Sequence, residues 1–195
     1  MAIERKPYER FWERVHPDYF RSPEQVEHPA RKRIVEEASK VGSSALDIGC
    51  DSCVDYPLFK RAGMSYTGID ITEHFIERAK ELYPGIDARV GTAYNLQFPD
   101  VSYDSVYCKD LLEHLPPDGY KKVLREMWRV TRKLMMISFY LPTKDSPTEY
   151  HLTASGYYSQ SYNEREIVGF IMDLENFGGL EIDRSVGCLY MARKR

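Results

Sequence analysis

The chain has 195 residues, of which 43% are hydrophobic and 29% are charged, a composition typical of one folded domain. Its formal net charge of −3 argues against a nucleic-acid-binding domain, which usually carries a strong basic excess. No apolar run approaches the roughly 18 residues of a membrane span, and the N-terminal sequence lacks a signal-peptide pattern. We therefore expect a cytoplasmic protein without nucleic-acid or membrane partners, acting as a monomer or a homodimer.

The first forty residues predict a helical arm. Residues 1–21 are rich in aromatic and charged side chains and show no clear periodicity. Ser22-Pro23-Glu24-Gln25 has the pattern of a capping box with proline in the first turn, which predicts a helix running to about Lys40. Pro29 is expected to restart or kink this helix, because proline lacks the backbone N–H that the helix would need.

Extended and helical patterns alternate along the middle of the chain. Short apolar runs predict strands at residues 45–48, 65–69, 86–90, 103–108 and 134–140. Helical periodicity predicts helices at residues 54–62, 72–82 and 120–131. Such β-α alternation at short spacing is typical of a mainly parallel sheet covered by helices.

The C-terminal part of the chain has a different pattern. A helix is predicted over residues 164–174 with Asn163 as its cap, and two strands follow at 180–186 and 189–192, joined at Gly187. These strands must be antiparallel, since a parallel crossover needs a dozen or more residues. The sequence thus predicts a doubly wound α/β fold: a mainly parallel seven-stranded sheet with a C-terminal antiparallel pair and helices on both faces.

Three predicted strand ends carry residues suited to a nucleoside ligand, which open α/β sheets bind beyond the carboxyl ends of their strands. The first strand ends in Asp47-Ile48-Gly49-Cys50-Asp51-Ser52-Cys53, where Gly49 lets the backbone turn toward a ligand. The second ends at Asp70, where an acid can accept both hydroxyls of a ribose. The third leads into Gly91-Thr92-Ala93-Tyr94, where we expect an adenine edge.

These segments resemble the class I S-adenosylmethionine-dependent methyltransferases. In that family the first strand ends in a D-x-G-x-G-x-G loop along the cofactor, and the second ends in a ribose-binding acid, matched here by Asp70. Residues 91–99 resemble the loop around the adenine. Residues 103–115, which include Asp110-Leu111-Leu112-Glu113-His114-Leu115, are similar to the family's fourth strand and its D-x-L-E-H-L helix start. The resemblance covers roughly residues 30–195.

The resemblance implies an enzyme that transfers a methyl group from S-adenosylmethionine to a small-molecule acceptor. It implies cofactor binding by the residues at the strand ends: Asp47, Gly49, Cys50, Asp51, Asp70, Ile71, Thr92, Ala93 and Lys109. A hydroxyl acceptor usually needs a general base. Our candidates are His114, His151 and Lys109, the lysine only if desolvation lowers its pKa.

The whole chain, residues 1–195, is expected to form a single methyltransferase domain with two coverings over its site. One is the arm at residues 1–40, and the other is a tyrosine-rich lid insertion at residues 141–163. Residues 149–163 contain four tyrosines and one histidine and follow the fifth strand, so they suit a lid over an aromatic or polar small substrate. A surface loop whose tyrosines pack on the core is an equally good interpretation.

The glycine loop departs from the family pattern, because Asp51 and Cys53 stand where glycines are most common. A carboxylate there either repels the cofactor's carboxylate or favours its ammonium and sulfonium groups. The alternative function is therefore a catalytically impaired, binding or regulatory protein of the methyltransferase fold. A nucleotide-dependent oxidoreductase would also have the ribose-binding acid, but its dinucleotide site would require glycines at positions 51 and 53. The family's turn before the fifth strand is shortened here to Thr131-Arg132-Lys133.

Cys50 and Cys53 form a single C-x-x-C, which invites a metal or redox interpretation. Cys108 ends a strand expected beside the first one, which would bring three thiols close together. Cysteine is also a common small buried residue. We prefer that simpler interpretation and predict no metal site.

Overall fold

The computed structural model describes residues 10–116, 119–138 and 149–195. Three predicted stretches lie outside the described residues: 1–9 of the arm, 139–140 of the fifth strand and 141–148 of the lid insertion. The helices are α1 (Pro23–Val26), α2 (Pro29–Val41), α3 (Tyr56–Arg61), α4 (Glu73–Leu82), α5 (Gly119–Val130) and α6 (Glu164–Met172). The strands are β1 (Ser44–Ile48), β2 (Ser65–Asp70), β3 (Asp87–Val90), β4 (Tyr103–Lys109), β5 (Thr131–Ser138), β6 (Glu149–Leu152), β7 (Tyr158–Ser161), β8 (Phe177–Asp183) and β9 (Leu189–Lys194).

Seven strands form one sheet in the order β3-β2-β1-β4-β5-β9-β8. The first five run parallel, whereas β9 is antiparallel to both β5 and β8. The predicted fold class is therefore confirmed. The strand order reverses between β1 and β4, which leaves a crevice at their carboxyl ends where open α/β sheets bind ligands.

The core has two apolar layers, one on each face of the sheet. One layer holds α5 and α6 against the strands, with Leu124 and Ile171 fully buried. The other holds α2, α3 and α4 through Ile34, Phe59 and Ile76. Burial on both faces explains why the central strands appear in the sequence as continuous apolar runs rather than alternating ones. In the described ranges, no helix is both long enough and apolar enough to cross a membrane.

The predicted helix over residues 22–40 is two helices, α1 and α2. The side chain of Ser22 caps α1 by accepting the backbone N–H of Gln25 at 3.3 Å, as the capping pattern predicts. Pro29 restarts the helix at the first turn of α2 rather than kinking it. The side chain of Asn163 likewise caps α6, accepting the backbone N–H groups of Arg165 and Glu166.

The predicted turn at residues 131–133 is wrong, because these residues are the beginning of β5. Helix α5 ends at Val130 and the strand starts at the next residue. The hydroxyl of Thr131 donates to the carbonyl of Met127 at 2.7 Å, which satisfies a carbonyl of the last helical turn without a separate loop. Strand β8 also begins three residues before its predicted start at 180, since Gly178 and Gly179 hide the apolar pattern.

Strands β6 and β7 form a separate antiparallel hairpin, where the sequence predicted an irregular lid loop. All four residues of β6 are exposed, so no apolar alternation marks it as a strand. In β7, Tyr158 and Gln160 are buried while Ser159 and Ser161 are more open, which is the side-chain alternation of a strand with one covered face.

Candidate active site

A cavity of about 1030 Å³ opens at the carboxyl ends of β1, β2, β3 and β4. All residues predicted to bind the cofactor or to act as a base line this one cavity: Asp47, Gly49, Cys50, Asp51, Asp70, Ile71, Thr92, Ala93, Lys109, His114 and His151. The first eight come from the β1, β2 and β3 ends, Lys109 ends β4, and the two histidines come from residues 112–114 and from β6. The fold therefore brings together residues that are far apart in the sequence.

The loop after β1 is tied to the end of β2 by backbone hydrogen bonds. The N–H groups of Gly49 and Cys50 both donate to the carbonyl of Ile69, at 2.9 and 3.0 Å. Gly49 has a φ of 74°, and a Cβ at this position would lie 3.0 Å from the side chain of Leu111. Glycine is needed here both for the left-handed backbone and for the close approach of Leu111.

Asp51 and Cys53 adopt left-handed backbone conformations, with φ values of 43° and 56°. Glycine adopts this conformation without strain, whereas only aspartate and asparagine among the other residues visit it routinely. The loop thus keeps a backbone shape that suits glycine although two of its residues carry side chains. The Asp51 carboxylate accepts the backbone N–H of Ser52, which supports the turn.

Asp70 connects the loop after β1 with the start of α4. One carboxylate oxygen accepts the backbone N–H of Asp51 at 3.0 Å, and the other accepts that of Thr72 at 2.8 Å. Burial raises the pKa of Asp70, and these two hydrogen bonds counter the rise. Each oxygen still has a lone pair for a ligand hydroxyl. The bond to Thr72 also holds the residue that precedes the first turn of α4.

The Asp51 carboxyl is a half-buried acid that lines the cavity. Burial raises its pKa to about 7, the hydrogen bonds from Ser52 oppose the shift, and the nearby Asp70 adds to it. A carboxyl in this state changes its charge close to neutral pH. A cation in the cavity would favour its ionised form.

Asp47 lies deeper, at the end of β1. Its carboxylate accepts the hydroxyl of Tyr66 at 2.6 Å. Burial and the neighbouring Asp55 raise the pKa of Asp47 to about 8. Asp55 is itself paired with the buried Arg31 and accepts a hydrogen bond from Tyr107 at 3.2 Å. Asp47 thus belongs to a buried polar network under the loop, which the sequence pattern did not reveal.

Lys109 and Asp110 form an ion pair at the end of β4. Asp110 has a φ of 53° and accepts the hydroxyl of Ser138 at 3.1 Å, so it is fixed to the neighbouring strand β5. The ammonium of Lys109 is already bound by this carboxylate. Lys109 is therefore the weakest of the three candidate bases.

His114 lines the cavity from the short 3₁₀ helix Leu112–His114. Its Nδ1 lies 2.9 Å from the carbonyl oxygen of Tyr158. Since a carbonyl only accepts, Nδ1 carries the proton, and Nε2 is the basic nitrogen of the neutral ring. Burial lowers the pKa of His114, which favours this neutral form. His151 lies on the exposed strand β6 at the rim of the cavity.

The N-terminal segment crosses the cavity from α4 to the hairpin; we call residues 10–21 the strap. At α4, His74 Nε2 lies 2.8 Å from the carbonyl of Val15, and Arg78 pairs with Asp18 at 2.9 Å. At the hairpin, Arg14 donates to the carbonyl of Ser155. These contacts place aromatic side chains of the strap over the cavity: Phe11, Trp12, Tyr19 and Phe20.

Cys50 and Cys53 are buried with their sulfur atoms 3.5 Å apart, on the face of the sheet covered by α2, α3 and α4. Cys108 packs in the layer on the other face. The expectation that three thiols lie together is wrong, because neighbouring strands put these side chains on opposite faces. Among the described residues, no group of three or more His, Cys, Asp or Glu side chains could hold a metal ion.

Sequence reasoning missed several residues that line the cavity, among them Gln25, Arg31, Asp55, Asp110 and Gln160. Arg31 lies in α2 and Asp55 directly precedes α3, and the sequence shows both only as charged residues near helices. Gln160 lies within the tyrosine-rich segment, and its burial between two serines became visible only with the hairpin.

Comparison with known proteins agrees with this geometry. A family model described as a methyltransferase domain matches residues 46–136. The 27-O-demethylrifamycin SV methyltransferase of Amycolatopsis mediterranei is 29% identical over 139 residues, which cover 64% of this chain and 50% of that enzyme. The structure of the Burkholderia thailandensis 1,6-didemethyltoxoflavin-N1-methyltransferase matches with a TM-score of 0.68 at 17% identity, covering 100% of this chain and 92% of that one. A sugar N-methyltransferase from a Streptoalloteichus species matches with a TM-score of 0.74 at 12% identity, covering 93% of each chain.

Residues 46–136 thus resemble a methyltransferase domain, and the described part of the chain shares its Rossmann-like fold with solved methyltransferase structures such as that of the Burkholderia enzyme. The chain spans about half the length of the curated relatives that it matches.

Proposed function

We propose that this protein transfers a methyl group from S-adenosylmethionine to a small-molecule acceptor. One observation carries the proposal: the same cavity is lined by the buried acid Asp70, at the end of β2, and by His114, whose Nδ1 is held by a backbone carbonyl. An acid suited to a ribose and a basic nitrogen in one crevice are what such a transfer needs. The names of the relatives, which refer to a rifamycin, a toxoflavin precursor and a sugar, support a small acceptor.

The donor set of the cavity fits this cofactor. The lone pairs of Asp70 would accept the two ribose hydroxyls, beside the left-handed turn of the chain at Gly49. Thr92 and Ala93 would lie along the adenine, next to Ile71. The Asp51 carboxyl would face the positive charges of the methionine part, with Asp47, Cys50 and Lys109 behind it.

S-adenosylmethionine, when bound, supplies a methyl group on a sulfonium that is already a good leaving group, so the protein mainly aligns the acceptor. His114 Nε2 would take the proton of an acceptor hydroxyl or amine as the new bond forms. The strap and the hairpin would keep water away from the reacting atoms, the role proposed for the two predicted lids. His151, on the exposed rim, is the second candidate base.

The setting of the reaction is part of the same proposal. We expect the protein to act in the cytoplasm, as a monomer or a homodimer, on a small molecule rather than on nucleic acid. The net charge of −3 supports this expectation, because a polyanionic partner would require a basic surface. Light scattering on the purified protein at several concentrations measures the oligomeric state.

Calorimetric titration with S-adenosylmethionine and S-adenosylhomocysteine tests the proposal. We expect binding with a Kd on the order of micromolar for the wild-type protein, and at least about tenfold weaker binding for Asp70→Ala. Asp100→Ala is the matched control, since Asp100 is an exposed aspartate that does not line the cavity. A folded wild-type protein that binds neither compound would contradict the proposal and favour the non-catalytic alternative.

A further inference from the structure

Five residues that line the cavity form what we call the acceptor wall: Phe11, Trp12, His114, Tyr157 and Gln160. We propose that the acceptor is a planar aromatic compound with a hydroxyl group and a second oxygen on the same edge, and that Gln160 recognises the second oxygen. This inference rests on the proposed function and adds the chemical class of the acceptor to it.

Aromatic rings from the strap and the hairpin meet at this wall. The ring of Trp12 lies 5.2 Å from that of Phe11, 6.2 Å from that of Tyr157 and 4.8 Å from that of His114. Tyr157 in turn lies 5.4 Å from His114. Aromatic walls of this kind bind flat π-systems through stacking and edge-to-face contacts, and they gain less from saturated rings of equal size.

Gln160 supplies a hydrogen-bond donor to the same wall. Its side chain is only 5% exposed, yet the residue lines the cavity. The Oε1 atom accepts the hydroxyl of Tyr158 at 2.6 Å, whereas Nε2 has no acceptor among the described residues. A buried N–H without a partner is unfavourable, and an oxygen atom of a bound ligand would satisfy it.

The base and this donor belong to one structural unit. The carbonyl of Tyr158 holds His114 Nδ1, and Gln160 lies two residues further along β7, with its side chain on the same face as that of Tyr158. Two such residues are separated by about 7 Å along the strand. Tyr158 holds the His114 ring through its carbonyl and the Gln160 amide through its hydroxyl, so one residue positions both groups. The proposed ligand has its hydroxyl at His114 Nε2 and its second oxygen at Gln160 Nε2.

The proposed methyl transfer involves only S-adenosylmethionine, the hydroxyl group of the acceptor and His114. An oxygen lone pair of the acceptor forms the new bond to the methyl carbon, and the carbon–sulfur bond breaks with its electron pair going to sulfur. The hydroxyl proton passes to His114 Nε2 and from there to water. The products are an aromatic methyl ether, S-adenosylhomocysteine and a proton.

The test uses three probe compounds: 2,3-dihydroxynaphthalene, 2-naphthol and the saturated decahydro-2-naphthol. For the wild-type protein with S-adenosylmethionine, we expect kcat/KM for the diol to exceed that for 2-naphthol by about tenfold, because the second oxygen satisfies Gln160. The saturated alcohol should react more slowly than either naphthol. Gln160→Leu should reduce the ratio between diol and 2-naphthol to about one.

Gln97→Leu is the matched control, because Gln97 is exposed and lies outside the cavity, and it should keep the wild-type ratio. Calorimetry of the diol with the protein loaded with S-adenosylhomocysteine measures acceptor binding directly. If the cofactor binds but neither naphthol binds or reacts, the acceptor class is wrong while the proposed function stands. The inference would also be overturned if Gln160→Leu left the ratio of kcat/KM between the diol and 2-naphthol unchanged. It would equally be overturned if the saturated alcohol reacted as fast as the naphthols.

Discussion

The backbone N–H of Asp51 donates to the carboxylate of Asp70 across 3.0 Å, so that the loop after β1 is fastened to the acid at the end of β2. Both carboxyl groups line one cavity, Asp70 buried and Asp51 half-buried, and their charges oppose each other. A cationic ligand would relieve this opposition, because it favours the ionised form of each acid. We therefore expect Asp51 to make ligand binding depend on pH.

We predict that the affinity for S-adenosylmethionine rises between pH 6 and pH 8. The pKa of Asp51 is raised to about 7, so the carboxyl is mainly protonated at the lower pH and mainly ionised at the higher one. The affinity gain across this range should be about tenfold. Calorimetric titrations at several pH values measure it.

Asp51→Asn is the control for that experiment. The amide keeps the size of the side chain but does not titrate, so the gain should shrink and the affinity at pH 8 should approach the wild-type value at pH 6. S-adenosylhomocysteine, which lacks the sulfonium charge, should show a smaller gain. Identical pH profiles for the wild type and the variant would contradict the role of Asp51.

Asp47 makes a prediction about folding stability. Its pKa is about 8 in the folded protein and 3.8 in an unfolded chain, so the folded state binds more protons between these values. The contribution of this residue to stability is therefore present at low pH and is lost as the pH rises through about 8. The slope from one group is at most about 1.4 kcal/mol per pH unit.

Urea unfolding of the wild type and of Asp47→Asn at pH 5, 7 and 9 measures that contribution. Asparagine can still accept the hydroxyl of Tyr66, but it carries no charge at any pH. We expect the free energy of unfolding of the variant, relative to the wild type, to increase steadily with pH. A constant difference between the two proteins would show that Asp47 does not titrate as described.

Substitution of His114 and of His151 distinguishes the two candidate bases by the effect on kcat. His114→Gln should lower kcat by about 100-fold, because the basic Nε2 is lost, while S-adenosylmethionine binding stays within a factor of about two. His151→Gln should change kcat by less than about threefold, since His151 is on the exposed rim. The reverse order of effects would assign the base to His151.

The rate should also report the protonation state of His114. Burial lowers its pKa below the ordinary 6.5, so the neutral, basic form predominates from about pH 6.5 upward. We expect kcat to rise with pH in the acidic range and then to level off before neutrality. A profile that still rises steeply above pH 7 would indicate another base.

Gly68 in β2 has a packing role that substitution tests. A Cβ at this position would lie 2.8 Å from the sulfur of Cys53 and 2.9 Å from that of Cys50. Gly68→Ala should therefore destabilise the protein by about 1–3 kcal/mol. Gly169→Ala is the matched control: Gly169 is in α6 with nothing near its Cβ position, so the change should stabilise by roughly 0.5–1 kcal/mol. Equal effects in chemical denaturation would refute this account.

The order of strands and helices could be predicted from the sequence because its signals are local. Ser22 and Asn163 cap their helices as the patterns indicate, and the apolar runs coincide with the central strands. The errors fall where the local signal is weak. The exposed strand β6 has no apolar alternation. Residues 131–133, predicted as a turn, contain neither glycine nor proline and begin strand β5.

The candidate site was predictable only where it follows the carboxyl ends of the strands. Asp47, Gly49 and Asp70 meet there because parallel strands end at the same edge of the sheet. The placement of Cys108 on the other face of the sheet was not predictable in the same way. It depends on which face each strand presents at that point, which a one-residue change in register reverses.

The sequence by itself determined the parallel sheet, the acids at its edge and the resemblance to methyltransferases, since each depends on patterns within a few neighbouring residues. Only the tertiary structure decided what covers the cavity. Arg14 reaches Ser155, 141 positions away in the chain, and this contact brings Trp12 onto His114. The tertiary structure also determines that Nε2 is the basic nitrogen of His114, since Nδ1 is bound by the carbonyl of Tyr158 in the hairpin. The packing of the same hairpin leaves Gln160 Nε2 without an acceptor among the described residues.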